Sequence, residues 1–444
     1  MMKFLLMNLL MLVYLNLNIN LIMMMIYMII MMFIYLLLSF NYSNDWQLIY
    51  SFIGLDNLSF LMIMLSLWII LMMYMVSMKM KQLSIYLLML NLLLLALLMS
   101  FMSMNYFIFY LFFEISLIPT FYLIMGWGYQ PERLIAGMFM LMYTMFASLP
   151  LLLIMYYLYN GLDSMNYLMM LNNMKLDFSY KVFMYVYMLL AFLVKLPMYL
   201  FHMWLPKAHV EAPVTGSMIL AGVMLKLGGY GIFRSMLMML MLSVKLNYLF
   251  YSISLIGMIY LSIECLRQND LKLLVAYSSV VHMGIMLMGM LTLSEIGMIG
   301  GFMMMLGHGL CSSALFFLVN LNYERVKSRN MYIGKGLMSI MPSMSLWWFL
   351  LSVCNMSSPP SLNLVSELML VMVIMNWSMN IMLMLIFGMY LSACYSLYLF
   401  SFNQHGKFNN LLMKMKNNNI SEYIVLMLHW IPLNLLILNM NFFI

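Results

Sequence analysis

The chain has 444 residues, 66% of them hydrophobic and 7% charged, against roughly 45–50% and 25% in soluble domains. So little charge cannot wet the surface of a soluble fold this long, which leaves a polytopic integral membrane protein with lipid as its first partner. The net charge of +7 comes from basic residues placed singly or in short loop groups, with no basic stripe. It reads as a topology signal and excludes nucleic acid as a partner.

A bilayer core takes about 20 apolar residues per helix. Cutting the chain at polar, glycine and proline breaks predicts fourteen spans, near 3–16, 21–39, 57–78, 83–101, 105–126, 134–159, 182–203, 213–232, 247–264, 272–291, 296–319, 341–373, 379–400 and 423–441. The first is short, divided from the second only by "NLNIN", and no cleavable signal is expected there. The twelfth is too long for one straight helix and contains "SSPPS". With this cut, 13 lysines and arginines fall in loops after odd-numbered spans and 5 on the other side, Arg234 among the 5 and Lys207, Lys272 and Arg325 among the 13. The basic excess marks the inner side, so both termini are expected on the outer side.

Four charged residues then remain at membrane depth, Glu114, Lys195, Lys226 and Glu367, with His282 and His308 as further ionisable groups inside spans. Each charge at the bilayer centre costs about 2.5–3.5 kcal/mol, and such residues mark ion or proton pathways more often than structural ion pairs. Lys195 stands two residues before Pro197. Proline removes a backbone donor and clashes with the preceding turn, so the span is expected to break there. Irregular backbone at that depth is tolerated only where protein or water covers it, and the freed carbonyls can support the ammonium. A contact between Glu114, five residues before Pro119, and Lys195 would hold both ionised, and separating them would change their proton affinity.

The device recurs at Pro359–Pro360, seven residues before Glu367. Paired broken helices in corresponding halves point to a transport pathway. Their separation of five spans suggests two five-span units, spans 4–8 and 9–13. The domain division is then 1–82, 83–232, 233–400 and 401–444. Gly228, Gly229 and Gly231 after Lys226 lack dinucleotide-binding spacing and are read as a close packing face or a flexible helix end. Glycines flank His308, leaving room for water or a neighbouring helix, and the near-neutral pKa of histidine suits a relay. His202 and His209, with Lys207 and Glu211, lie beyond the break; a solvated interfacial turn is the plainer expectation and a proton entry route the sharper one.

No cofactor or metal site is expected. Cys265, Cys311, Cys354 and Cys394 are far apart with no CxxC pair, and the 66 methionines spread through nearly every apolar run as lipid-facing filler rather than as copper ligands.

The block "LVKLPMYLFHMWLPKAHVEAPVTGSMILAGVMLKLGGYG", with "GWGYQPERLIAGMFMLMYTMFASLPLL" and "SSPPSLNLVSELML", resembles the proton-translocating core of the antiporter-like subunits of respiratory complex I and of multisubunit cation/proton antiporters. The likeness runs from about the third span to the thirteenth. It implies an all-α membrane protein of about 14 helices, with two inverted five-helix repeats each containing a broken helix. It also implies a hydrated proton path along the midplane through Glu114, Lys195, Lys226, His308 and Glu367, with His202, His209 and His282 as secondary candidates. Glu367, where sister subunits resemble one another in using lysine, and the absence of a long lateral helix after the last span narrow the likeness within the complex I branch. The methionine-rich composition suits an invertebrate mitochondrial genome.

That branch implies a mitochondrial inner-membrane subunit coupling electron transfer from NADH to ubiquinone, done elsewhere, to proton pumping. NADH, FMN, iron–sulfur clusters and ubiquinone would sit in other subunits, and antiporter-like neighbours would flank this chain on both sides. The alternatives are a cation/proton antiporter subunit without redox chemistry and a purely structural subunit with the buried charges as helix glue.

Overall fold

The computed structural model describes residues 4–9, 21–38, 46–173, 181–407 and 418–443. The second half of the first expected span and the "NLNIN" divider lie outside the described residues; residues 4–9 are helical. The chain then runs through α1 (Leu21–Leu38), a hairpin of β1 (Gln47–Tyr50) and β2 (Ile53–Leu55), and α2 (Asn57–Val76). Next come α3 (Leu83–Met102), α4 (Tyr106–Trp127), α5 (Arg133–Leu162), α6 (Lys181–Lys195), α7 (Trp204–Glu211) and α8 (Val214–Met238). The remainder comprises α9 (Leu240–Arg267), α10 (Leu271–Leu291), α11 (Glu295–Val326), α12 (Pro342–Asn355), α13 (Leu362–Trp377), α14 (Met382–Gln404) and α15 (Ile420–Leu435).

Among the described residues ten helices are long and apolar enough to cross a membrane, and three apolar ones are shorter: Ile22–Leu36, Val182–Lys195 and Leu362–Trp377. Two of the three are halves of the spans that proline interrupts. The hairpin is an addition to the helical reading. Its antiparallel pairing, with the Met104 N–H donating to the Phe52 carbonyl, satisfies backbone groups that an open loop at the end of a span would leave bare.

The described structure divides into two compact units. One holds the chain up to Lys195, Glu211–Ser243 and the last four residues; the other holds Leu196–Val210 and Val244–Met440. In the first unit α2 starts on a capping box, the Asp56 side chain accepting from the Ser59 N–H. Against α8, the Cβ of an alanine at Gly231 would lie 2.4 Å from two atoms of the Phe192 ring of α6. The close packing expected of the glycines after Lys226 is therefore met at Gly231. In the second unit glycine again sets helix spacing: Cβ atoms at Gly289 of α10 and Gly300 of α11 would meet Leu370 and Met369 of α13 at 2.1 and 3.0 Å.

Candidate site: buried charges at interrupted helices

In the first unit, α6 ends on Lys195, two residues before Pro197, because the residue ahead of a proline is driven out of the α region. The ammonium is thereby placed at the negative end of a helix dipole, a favourable site for a cation. Lys195 is 2% exposed. Its Nζ donates to the Phe113 carbonyl at 3.0 Å and stands 3.5 Å from the Phe113 ring centroid. Cation–π contact of this kind helps hold a desolvated ammonium. Glu114 is the next residue. It is the last residue but one of the first half of α4, which is interrupted at Ser116, where Pro119 has no N–H to give the Ile115 carbonyl.

The lysine thus reaches the turn that carries the glutamate but bonds a carbonyl there. Among the described residues no ion pair joins the two, and Glu114 Oε1 is buried without a hydrogen-bond partner. Ser148 of α5 stands within hydrogen-bonding reach of the same side chain.

Lys226, fully buried, follows a turn that the sequence did not reveal. Across Leu220–Met224 the helix widens to a π turn, and the Leu225 N–H bonds the Leu220 carbonyl. The Ala221 carbonyl is left outside the ordinary i→i+4 ladder, and the Lys226 Nζ donates to it. Single π turns of this sort concentrate at functional positions. Here the turn supplies a carbonyl to a charge inside a buried helix.

In the second unit the Glu367 carboxylate, 3% exposed, is approached from two sides. Ser357, in the interruption between α12 and α13, donates to its Oε2 at 2.5 Å. His282 Nδ1 of α10 lies 3.2 Å from its Oε1, at ion-pair distance but off the line of a directed hydrogen bond. The His282 Nε2 pairs with the Tyr395 hydroxyl at 3.0 Å. Its ring lies 5.7 Å from that of His308, so His282 neighbours both His308 and Glu367. Beside His308, a Cβ at Gly307 would lie 2.3 Å from Asn363 Oδ1. A neighbouring helix, α13, fills the room that glycine leaves.

Two expectations are corrected. His202, His209 and Glu211 do not form a solvated turn: all three are buried. His202 stacks on Tyr199 with centroids 5.6 Å apart, and His209 lies flat on Phe316 at 4.5 Å. Three residues counted as loop charges also have side chains buried within helices. Lys272 is buried on α10 and donates to the Val210 carbonyl at 3.3 Å. Arg325 pairs with Glu422, and Arg234 pairs with Asp56. Hydropathy cutting places a charge in a loop whenever it lies near a span end, and burial there depends on a partner from another helix.

A sequence profile for the amino terminus of NADH-ubiquinone oxidoreductase chain 4 matches residues 1–100, and one for the NADH:quinone oxidoreductase/Mrp antiporter transmembrane region matches residues 103–392. Among curated proteins, NADH-ubiquinone oxidoreductase chain 4 of Ceratitis capitata is 52% identical over 391 residues, 87% of each chain. That of Locusta migratoria is 48% identical over 409 residues, 91% of each. The chain belongs to the NADH-ubiquinone oxidoreductase chain 4 family. This chain also shares its fold with distant solved structures. A chain of respiratory complex I from Thermus thermophilus superposes with a TM-score of 0.88 at 20% identity, covering 97% of this chain and 94% of that one. A chain of an archaeal membrane-bound sulfane sulfur reductase superposes at 0.86 and 20% identity, covering 99% and 75%.

Proposed function

We propose that this chain is a proton-translocating membrane subunit of the H+-translocating NADH:ubiquinone reductase, and that Glu114, Lys195, Lys226, His308 and Glu367 carry the protons. His282 is added to them as the link to Glu367. One observation carries the reading: a buried lysine at a proline break is bonded to a carbonyl one residue from a buried carboxylate oxygen that has no partner. Exchanging the Phe113 carbonyl for Glu114 changes the neighbours of the Lys195 ammonium, and with them its hold on the proton. In the second unit, a proton arriving at His308 passes to His282 and then to Glu367. Electron transfer from NADH to ubiquinone belongs to other subunits, where NADH, FMN, iron–sulfur clusters and ubiquinone reside.

The proposal includes a mitochondrial inner-membrane location with both termini on the outer side. It includes antiporter-like neighbours on both flanks and the division 1–82, 83–232, 233–400 and 401–444 with inverted repeats in a fourteen-helix layout. The identity to curated relatives named for NADH and ubiquinone disfavours a cation/proton antiporter without redox chemistry.

A native gel of mildly solubilised membranes tests membership: the chain is expected to co-migrate with the NADH-oxidising band. Lys195→Met and Glu114→Gln are then expected to lower the proton-to-electron ratio with that band intact. An unchanged ratio would remove both residues from the relay. If the charges are helix glue, combining the two substitutions restores activity, whereas a relay stays broken.

A further inference from the structure

Lys226, Tyr230 and Arg234 follow one another along an i, i+4 ridge of α8, and the last of them closes one end of that ridge. Arg234 pairs with the Asp56 carboxylate, the two side chains being 7% and 6% exposed, and donates to the Tyr230 hydroxyl at 3.0 Å. Aromatic rings box the guanidinium: Trp46, Tyr230 and Tyr167 have centroids 4.6, 4.8 and 5.7 Å from it. Asp56 is itself pinned, since its other carboxylate oxygen caps α2 by accepting the Ser59 N–H. The Tyr230 hydroxyl donates onward to the Phe101 carbonyl at 3.2 Å. Among the described residues the Arg234 Nε and the Tyr167 hydroxyl are buried without a hydrogen-bond partner. An open, largely apolar cleft of about 680 Å³ reaches Asn105, Asp163 and Asn166 at its polar end, and Asn166 directly precedes Tyr167 in the chain.

We propose that Arg234 is an electrostatic seal that stops protons passing between Lys226 and the membrane face from which α2 starts. The inference rests on the reading of Lys226 as a proton carrier. A guanidinium has donors only and does not release its proton, so it cannot pass a proton on as a lysine or histidine can. Its fixed positive charge repels an approaching cation, and arginines at constrictions exclude protons in this way. Asp56 keeps the buried charge tolerable, and both of its carboxylate oxygens already accept a hydrogen bond, one from Arg234 and one from the Ser59 N–H.

The two halves of the pair therefore have opposite consequences, which mere helix glue would not show. The assembled complex is reconstituted in vesicles, a pH gradient is imposed without NADH, and its decay is followed. Arg234→Gln is expected to speed the decay about tenfold, the Boltzmann weight of one unit charge felt over about 12 Å, eight residues of helix rise, at an effective dielectric near 20. Asp56→Asn keeps the cation and is expected to hold the gradient as tightly as the parent. Equal leaks from both variants, or a leak from neither, overturn the proposal.

Should Arg234→Gln fail to assemble on a native gel, Arg234→Lys decides, because it keeps the charge and the packing but can release its proton. It leaks if Arg234 is a seal and stays tight if any cation serves. Lys226→Met on the leaking background is expected to slow the leak again. If Lys226→Met alone leaves pumping intact, the relay reading of Lys226 fails, while the comparison of Arg234 with Asp56 still stands on its own result.

Discussion

Substitution of Gly231 by alanine tests whether the geometry around Lys195, and not only its charge, is needed. The added Cβ would sit 2.4 Å from Cδ1 and Cε1 of Phe192 and 2.9 Å from Cζ, so the ring must retreat by about 1 Å to reach ordinary contact distance. That ring is not free to retreat: it packs edge-on against Phe113 at 5.6 Å and tilted against Phe109 at 6.0 Å. Overpacking of this kind costs about 1–3 kcal/mol, equivalent to about a 5- to 150-fold change in a conformational equilibrium. Phe192 lies one turn before Lys195 on α6, and Phe113 supplies both the carbonyl and the ring that hold the ammonium. The strain therefore falls on the lysine site although no ionisable group has changed.

The assay is the proton-to-electron ratio of the reconstituted complex, with thermal inactivation of NADH oxidation as the stability readout. Gly231→Ala is expected to lower both. Gly126→Ala, where an added Cβ meets nothing within 4 Å, is expected to change neither. Adding Phe192→Leu to Gly231→Ala makes room for the methyl group and is expected to recover part of the loss. If Gly231→Ala pumps with the parent ratio and stability, packing of α6 on α8 does not set the position of Lys195, and that link in the mechanism is wrong.

Removing the histidine that neighbours both His308 and Glu367, as His282→Gln, keeps volume and hydrogen-bonding capacity but ends proton exchange. It is expected to cut NADH-driven pumping by about 10²-fold or more, read as the rate of vesicle acidification; parent rates would return His282 to a structural role. Ser357→Ala deletes one hydrogen bond to the Glu367 carboxylate and is expected to cost about 1.5–3 kcal/mol, seen as partial slowing. The buried Arg325–Glu422 pair joins α11 to α15. Arg325→Met strands the carboxylate and is expected to cost about 3–5 kcal/mol. The assembled band on a native gel should then fall sharply, and an undiminished band would mean that Glu422 finds water instead.

The residues themselves determined the membrane class, the approximate spans and the isolated charges within them. Those follow from local quantities: mean hydropathy over a span, the missing N–H of Pro197 and the cost of an ionised group in hydrocarbon. The break after Lys195 was legible for the same reason, since proline acts on its immediate neighbours. Which partner each charge takes was not legible. Lys195 bonds the Phe113 carbonyl and not Glu114, and Glu367 is met by His282, because such contacts depend on helix rotation and depth set by packing at Gly231, Gly289 and Gly307. The π turn before Lys226 was hidden as well, because "LAGVM" carries no proline or polar residue to announce it. Only the tertiary structure decided that Arg234, His202 and His209 are buried, because a side chain near a span end is buried or solvated according to what a distant segment lays over it.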